Sequence, residues 1–101
     1  MLFRSSNGWP QGERFGLTSQ IRRAAVSIPS NIAEGAERHG TGEYLHFLGV
    51  AKGSLAEVET HLAIALKLEF LTSEETQTLL AQAAEIGRML SGLTRSLRSK
   101  L

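Results

Sequence analysis

Apolar side chains recur along most of the chain at steps of three and four residues, which is the spacing of one face of an α-helix. The longest such stripe predicts a helix over residues 42–69. Its members are Tyr44, Leu48, Ala51, Leu55, Val58, Leu62 and Ala65. The heptad-like spacing indicates a core-facing seam, which Phe47, Ile64 and Leu68 widen as a globular bundle requires. Thr41 can act as the N-cap of this helix.

A second stripe predicts a helix over residues 73–98. Its members are Leu79, Ala83, Ile86, Leu90, Leu93 and Leu97. Thr72 and Glu75 match the Thr-x-x-Glu capping box, in which each residue accepts a hydrogen bond from a free backbone N–H of the other. The connection to the preceding helix is only a few residues long, so the two helices should be antiparallel neighbours.

A third stripe predicts a helix over about residues 17–38. Its members are Leu17, Ile21, Ala24, Ile28 and Ile32. Thr18 can act as the N-cap, and Gly35 marks the approach of the helix end. Pro29 lies inside this stretch, where it removes a backbone donor and clashes with the carbonyl of Ala25. Because the apolar spacing continues across the proline, we expect one kinked helix rather than two elements.

Together the stripes predict an all-α fold, an antiparallel up-and-down helical bundle that forms one domain over residues 1–101. Residues 1–12 do not continue the pattern, because glycine and proline favour turns there, and they are expected to form a short leader. Three helices with wide apolar faces leave one seam uncovered. An oligomer, or Phe3 and Trp9 of the leader, could cover that seam.

Composition excludes several classes of protein. Hydrophobic residues make up 42% of the chain, and the absence of cysteine excludes a disulfide scaffold and a cysteine zinc site. The start of the chain, MLFRSSNGWP, has no apolar stretch long enough for a signal peptide. The most apolar run, LAIALKLEFL, is interrupted by Lys67 and Glu69 and is too short to span a membrane. We therefore expect a cytoplasmic protein with no membrane contact.

Charge is unevenly placed, although the net charge is only +1. Residues 1–40 carry a net charge of +2, residues 41–87 carry −5 and residues 88–101 carry +4. Two basic ends favour contacts with other subunits or with nucleic acid. The candidate contact residues are Arg22, Arg23, Arg38, Arg95, Arg98 and Lys100. No aromatic residue is interleaved with them, so phosphate contacts are expected without base stacking.

Two other interpretations of these cations stay open. Cations near a helix C-terminus are favoured by the helix dipole, which would explain the basic end of the chain without any ligand. Arg22 and Arg23 can instead pair with acidic residues of an adjacent subunit.

Several polar residues interrupt the predicted apolar faces. They are Ser27, Asn31 and Glu34 on the first helix, and Ser54 and Glu57 on the second. Asn31 falls at a core-facing position, where an amide is costly unless it is hydrogen-bonded. We expect these residues to form an interhelical polar network that fixes the helix register. Alternatively, Asn31 satisfies carbonyls that Pro29 leaves free.

Catalytic and metal chemistry find little support in the sequence. A Ser-His-Asp triad cannot be built, because the chain has no aspartate. Glu43 and His46 form a single Glu-x-x-His pair, whereas a di-iron bundle needs two such pairs and two further glutamates. Glu57 and His61 are four residues apart and predict a local helix pair. We expect no catalytic residues, no metal and no cofactor, with a metal- or small-ligand-binding bundle as the alternative function.

Two segments resemble a known family. RFGLTSQIRRAAVSIPSNIAEG, followed by EYLHFLGVAKGSLAEVETHLAIALKLEFL, is similar to the small four-helix-bundle proteins related to the 23S rRNA intervening-sequence proteins, over roughly residues 9–97. The resemblance implies antiparallel four-helix bundles that assemble into ring-like homopentamers. Some relatives are encoded within insertions in ribosomal RNA genes, and a similar bundle is the accessory protein of diversity-generating retroelements, where it associates with a reverse transcriptase.

The resemblance also carries an expectation about the first helix and about function. A full helix is implied before the WPQGERFGL segment, but only eight residues precede Trp9, so we expect an N-terminally shortened form. No enzymatic activity is established for the family. We therefore expect a non-enzymatic oligomeric scaffold or adaptor, a homo-oligomer and by resemblance a pentamer, with RNA or a nucleic-acid enzyme as candidate partners.

Overall fold

A computed structural model describes residues 11–101, without the side chains of Gln11, Glu13 and Arg14. Residues 11–101 form three helices: α1 (Gln11–Ala36), α2 (Thr41–Lys67) and α3 (Ser73–Arg98). No strand occurs among these residues, so the all-α prediction is confirmed. The predicted contribution of Phe3 and Trp9 to the core lies outside the described residues.

The helix starts differ from their predictions in two places. Helix α1 begins at Gln11, so Thr18 lies within the helix and cannot be its N-cap. The prediction for Thr41 is also wrong, because Gly40 is the N-cap of α2, with extended φ and ψ of −135° and 149° and no side-chain cap. Any residue can adopt this extended backbone conformation, so it does not require a threonine. Thr41 becomes the first helical residue.

The capping box at the start of α3 is confirmed. The Glu75 backbone N–H donates to Thr72 Oγ1 at 3.0 Å, and the Thr72 N–H donates to Glu75 Oε1 at 2.9 Å. Two of the backbone donors at the helix start therefore have partners.

Helix α2 ends in a Schellman motif. The Phe70 N–H donates to the Ala65 carbonyl at 2.8 Å, and the Glu69 N–H donates to the Leu66 carbonyl at 3.0 Å. Glu69 has the left-handed φ of 63° that this motif requires, a conformation that glycine adopts more readily. The turn places Phe70 in the core, where it is buried beside the end of α2.

Helix α1 is continuous through Pro29, as predicted. Both Pro29 and Ala25 are exposed. The carbonyl that loses its hydrogen-bond donor therefore belongs to the solvent-facing side of the helix, where water can replace the missing N–H.

The three helices form a row with α2 in the middle. Helix α2 packs against both α1 and α3, whereas no Cα atom of α1 lies within 8 Å of a Cα atom of α3 over residues 11–101. The molecule measures 53 × 23 × 13 Å. Its width is what three adjacent helices need, namely two interaxial distances of about 8–10 Å and one Cα diameter of about 4.6 Å.

The core follows the predicted seam of α2. Six of the seven predicted positions are buried and Tyr44 is half-buried. The buried members are Leu48, Ala51, Leu55, Val58, Leu62 and Ala65. From the flanking helices the core receives Ala24 and Ile28 on one side and Ala83, Leu90 and Leu97 on the other. The central helix thus supplies most of the core because it has neighbours on two sides.

Candidate interaction surfaces

Over residues 11–101, one face of the helix row is apolar and uncovered. On α3, Ala83, Leu90 and Leu97 are buried, whereas Leu79 and Ile86 of the same predicted stripe are 38% and 37% exposed and Met89 is 66% exposed. Leu79 shares a cleft with Leu17 and Ile21 of α1. Ile86 and Met89 follow Leu79 by seven and ten residues and so lie on the same side of α3. We call the surface formed by Leu17, Ile21, Leu79, Ile86 and Met89 the open face.

The open face includes a cleft at one end of the helix row. An apolar cleft of about 290 Å³ lies where α1 begins, α2 ends and α3 begins. Leu62 and Ala65 of α2 form part of its lining, with Leu17 and Ile21 on one side and Leu79 on the other. All three helices therefore contribute to one uncovered apolar hollow, as expected if α1 and α3 are too far apart to close over α2.

Three of the five predicted polar residues come together between α1 and α2. The Asn31 amide donates to the Ser27 carbonyl at 2.8 Å and to Ser27 Oγ at 2.9 Å, and Ser54 Oγ donates to Ser27 Oγ at 2.9 Å. Asn31 thus binds the carbonyl of Ser27 rather than that of Ala25, the one freed by Pro29. Asn31 therefore does not repair the proline site, and it reaches α2 only through Ser27, which accepts the hydrogen bond from Ser54.

The two predicted glutamates lie outside this network. Glu34 forms an ion pair with Arg38 one turn away on the surface of α1. Glu57 is exposed and lines a polar groove with Arg23 and Gln20, beside Ser27 and Ser54. The structure therefore places Arg23 near an acid of its own chain.

The six predicted cations do not form one patch. Arg22 lies at the edge of the apolar cleft, and Arg38 stacks over the Phe47 ring at 5.0 Å. Arg98 and Lys100 are exposed at the end of α3. Arg38 thus has a glutamate and an aromatic ring as partners. Arg95 lies elsewhere, in a groove lined by residues of two helices.

That groove runs between α2 and α3 and collects more cations than the sequence predicted. Lys52 comes from α2, Arg88 and Arg95 come from α3, and Glu59 is the acid in the lining. We call it the α2–α3 groove. Lys52 lies on a helix with a net negative charge. It belongs to this basic groove only because α2 packs against α3. The seven-residue spacing of Arg88 and Arg95 was a usable sequence signal for a shared helix face.

Metal binding has no support among the described residues. No group of three histidine or acidic side chains converges there. His46 is exposed and meets the edge of the Phe47 ring. The predicted pair of Glu57 with His61 does not form, because both ring nitrogens of His61 are buried without a hydrogen-bond partner. Glu57 faces solvent instead, where its carboxylate is hydrated.

Over residues 11–101, the fold and surfaces define a small helical-bundle protein with one apolar face exposed. The model of the 23S rRNA-intervening sequence protein family matches residues 1–92, and the chain belongs to that family. No curated protein matches the sequence significantly. No helix within the described residues has both the length and the hydrophobicity needed to cross a membrane.

Proposed function

We propose that the protein is a non-enzymatic homo-oligomeric scaffold or adaptor that assembles through the open face. The observation that carries the proposal is the exposure of Leu79, Ile86 and Met89, on the side of α3 that flanks the core. Contiguous apolar surface of this kind typically marks a site of protein association. Burying one large aliphatic side chain contributes about 1.5–3 kcal/mol, so a few such residues suffice to drive assembly.

The size of the helix row is compatible with the same proposal. Helices of 26 residues are about 39 Å long at 1.5 Å per residue, and the row is 23 Å wide. One whole side of the row therefore measures about 900 Å², and the open face is the apolar part of that side. A standard protein interface buries about 800 Å² on each partner, so a contact centred on the open face has enough surrounding surface to reach this size.

Family membership supports a ring-like homopentamer as the particular assembly, and the cysteine-free chain suits the reducing cytoplasm. Sedimentation velocity and light scattering test the assembly directly. We expect about 55 kDa, which is five times the chain mass of 11.0 kDa. A mass of 11.0 kDa at all concentrations would contradict the proposal.

A pair of double variants locates the contact. Ile86→Glu with Met89→Glu should dissociate the oligomer, because it places two charges in the apolar contact. Gln77→Glu with Ala81→Glu is the matched control, since both residues are exposed and lie on the opposite side of α3 from Ile86. The control should keep the oligomer mass. If the two variants behave alike, the open face is not the contact.

Nucleic acid, bound directly or through a nucleic-acid enzyme, is the second candidate function. The observation that favours it is the convergence of Lys52, Arg88 and Arg95 on the α2–α3 groove. Like charges repel one another, so folding alone gives no reason to bring these cations together, whereas binding a polyanion does.

A further inference from the structure

We infer that the α2–α3 groove binds the phosphodiester backbone of a single nucleic-acid strand, at Lys52, Arg88 and Arg95. The inference rests on the second candidate function above and assigns it to one site. The groove has a volume of about 660 Å³. Its floor consists of small residues, so the backbone of a strand can approach the cations closely. They are Ala56, Ala84, Gly87 and Ser91.

The register of the helices places the three cations in order. A Cβ at Gly87 would lie 3.3 Å from Leu55, so these residues face each other across the antiparallel pair. Lys52 precedes Leu55 by three residues and is therefore level with residue 90, between Arg88 and Arg95. The two arginines are seven residues apart, or about 10.5 Å along the helix axis. This distance is long enough for the two arginines to contact different phosphates of one strand.

The acid of the groove lies away from the basic half. Glu59 follows Leu55 by four residues, which places it level with residue 83, before the first arginine of the groove. In the other direction Arg98 is exposed and comes one turn after Arg95, so it continues the basic line. Positive charge is thus concentrated toward the C-terminal half of α3, and charge complementarity favours a polyanion there.

The arginines of the groove are available for phosphate. Arg88 pairs with Glu85 at 2.6 Å, but both side chains are more than 60% exposed, and such pairs contribute about 0–1 kcal/mol. A phosphate can therefore replace the carboxylate. No aromatic side chain lines the groove, so the contacts reach the backbone without base stacking, and binding should not depend on sequence.

The groove and the open face lie on different sides of α3. Arg88 is two positions after Ile86, or about 200° around the helix at 3.6 residues per turn. Copies joined through the open face would leave the α2–α3 groove accessible. Assembly and strand binding can therefore occur together and can be tested separately.

Fluorescence anisotropy with a labelled 20-nucleotide oligo(U) tests the site. Affinity should fall with salt at a slope of about −2 in log K against log salt, since each of three neutralised phosphates contributes about −0.7. Lys52→Gln with Arg88→Gln and Arg95→Gln should weaken binding at least tenfold at low salt and bring the slope near zero. Oligo(dT) of the same length should bind comparably, because the contacts are to phosphate.

The control removes three charges outside the groove: Arg22→Gln with Arg23→Gln and Lys67→Gln. It should keep most of the affinity and the slope. Equal loss in both triple variants would overturn the site while leaving nucleic-acid binding intact. No binding of either oligonucleotide at low salt would overturn the second candidate function itself. Tighter binding of a polyglutamate peptide than of oligo(U) would identify an acidic protein as the ligand and contradict the inference.

Discussion

Single residues set the distance between α1 and α2. A Cβ at Gly35 would lie 2.9 Å from Phe47 Cβ and 2.9 Å from Tyr44 Cδ1, closer than carbon atoms approach. Both contacted atoms are near the backbone or in a rigid ring, so they cannot move aside cheaply. Gly35 therefore permits the close crossing of the helices next to their connection. Further along, the hydrogen bond from Ser54 to Ser27 joins the same helix pair, and Asn31 holds Ser27 from within α1.

We expect Gly35→Ala to lower the free energy of unfolding by about 1–3 kcal/mol, because overpacking at this crossing outweighs the helix propensity of alanine. Gly53→Ala is the matched control, since a Cβ there would have no neighbour within 4 Å. It should raise stability by about 1 kcal/mol, a shift of about 4–8 °C in melting temperature. Urea denaturation measures both. Stabilisation by both substitutions would contradict the close packing at Gly35.

Asn31→Leu tests whether the polar network fixes the register of α1 against α2. We expect no net gain in stability, because the loss of two hydrogen bonds, about 0.5–1.5 kcal/mol each, offsets the added apolar burial. Gln20→Leu, an exposed amide on the same helix, should change stability by less than about 0.5 kcal/mol. A large gain for Asn31→Leu with an unchanged oligomer would disprove the role in register.

The ends of the helices are formed in different ways. Gly40 starts α2 without a side-chain cap, whereas Thr72 and Glu75 start α3 with a reciprocal pair of hydrogen bonds. The end of α2 depends on Glu69 in a left-handed conformation, which leads the chain into α3. The proline of α1 is tolerated because it lies on the exposed side of its helix.

Glu69→Gly should raise the free energy of unfolding by about 1 kcal/mol, because a left-handed conformation costs a residue with a Cβ about 1–2 kcal/mol and costs glycine little. Gln77→Gly, in the exposed interior of α3, should lower it by about 1 kcal/mol. Thermal unfolding followed by circular dichroism compares the two. A loss of stability for Glu69→Gly would show that the glutamate side chain contributes more than its backbone costs.

Residues 11–101 form a row of three helices in which α3 packs against α2 alone. Two of the six residues in the α3 stripe, Leu79 and Ile86, therefore stay exposed. Assembly through the open face should bury this stripe and link stability to protein concentration. The melting temperature of the wild-type protein should then rise with concentration, whereas that of the Ile86→Glu, Met89→Glu variant should not. A melting temperature independent of concentration in both would argue against the proposed assembly.

Four features could be predicted from the sequence: the presence of the three helices, the capping box of α3, the continuity of α1 through Pro29 and the seam of α2. These features depend on residues within a few positions of one another, so their spacing is visible along the chain. Gly40 as an N-cap escaped prediction because Thr41 beside it is the better capping residue by type.

Only the tertiary structure decided which helices touch and what their surfaces bring together. A stripe has the same spacing whether it is fully or half covered, so the exposure of Ile86 follows from the separation of α1 and α3. Likewise Lys52 joins Arg88 and Arg95 only through the register of α2 against α3. The short connection between α2 and α3 indicates that they are neighbours, but contacts between particular distant residues depend on the register of the paired helices, which no local pattern encodes.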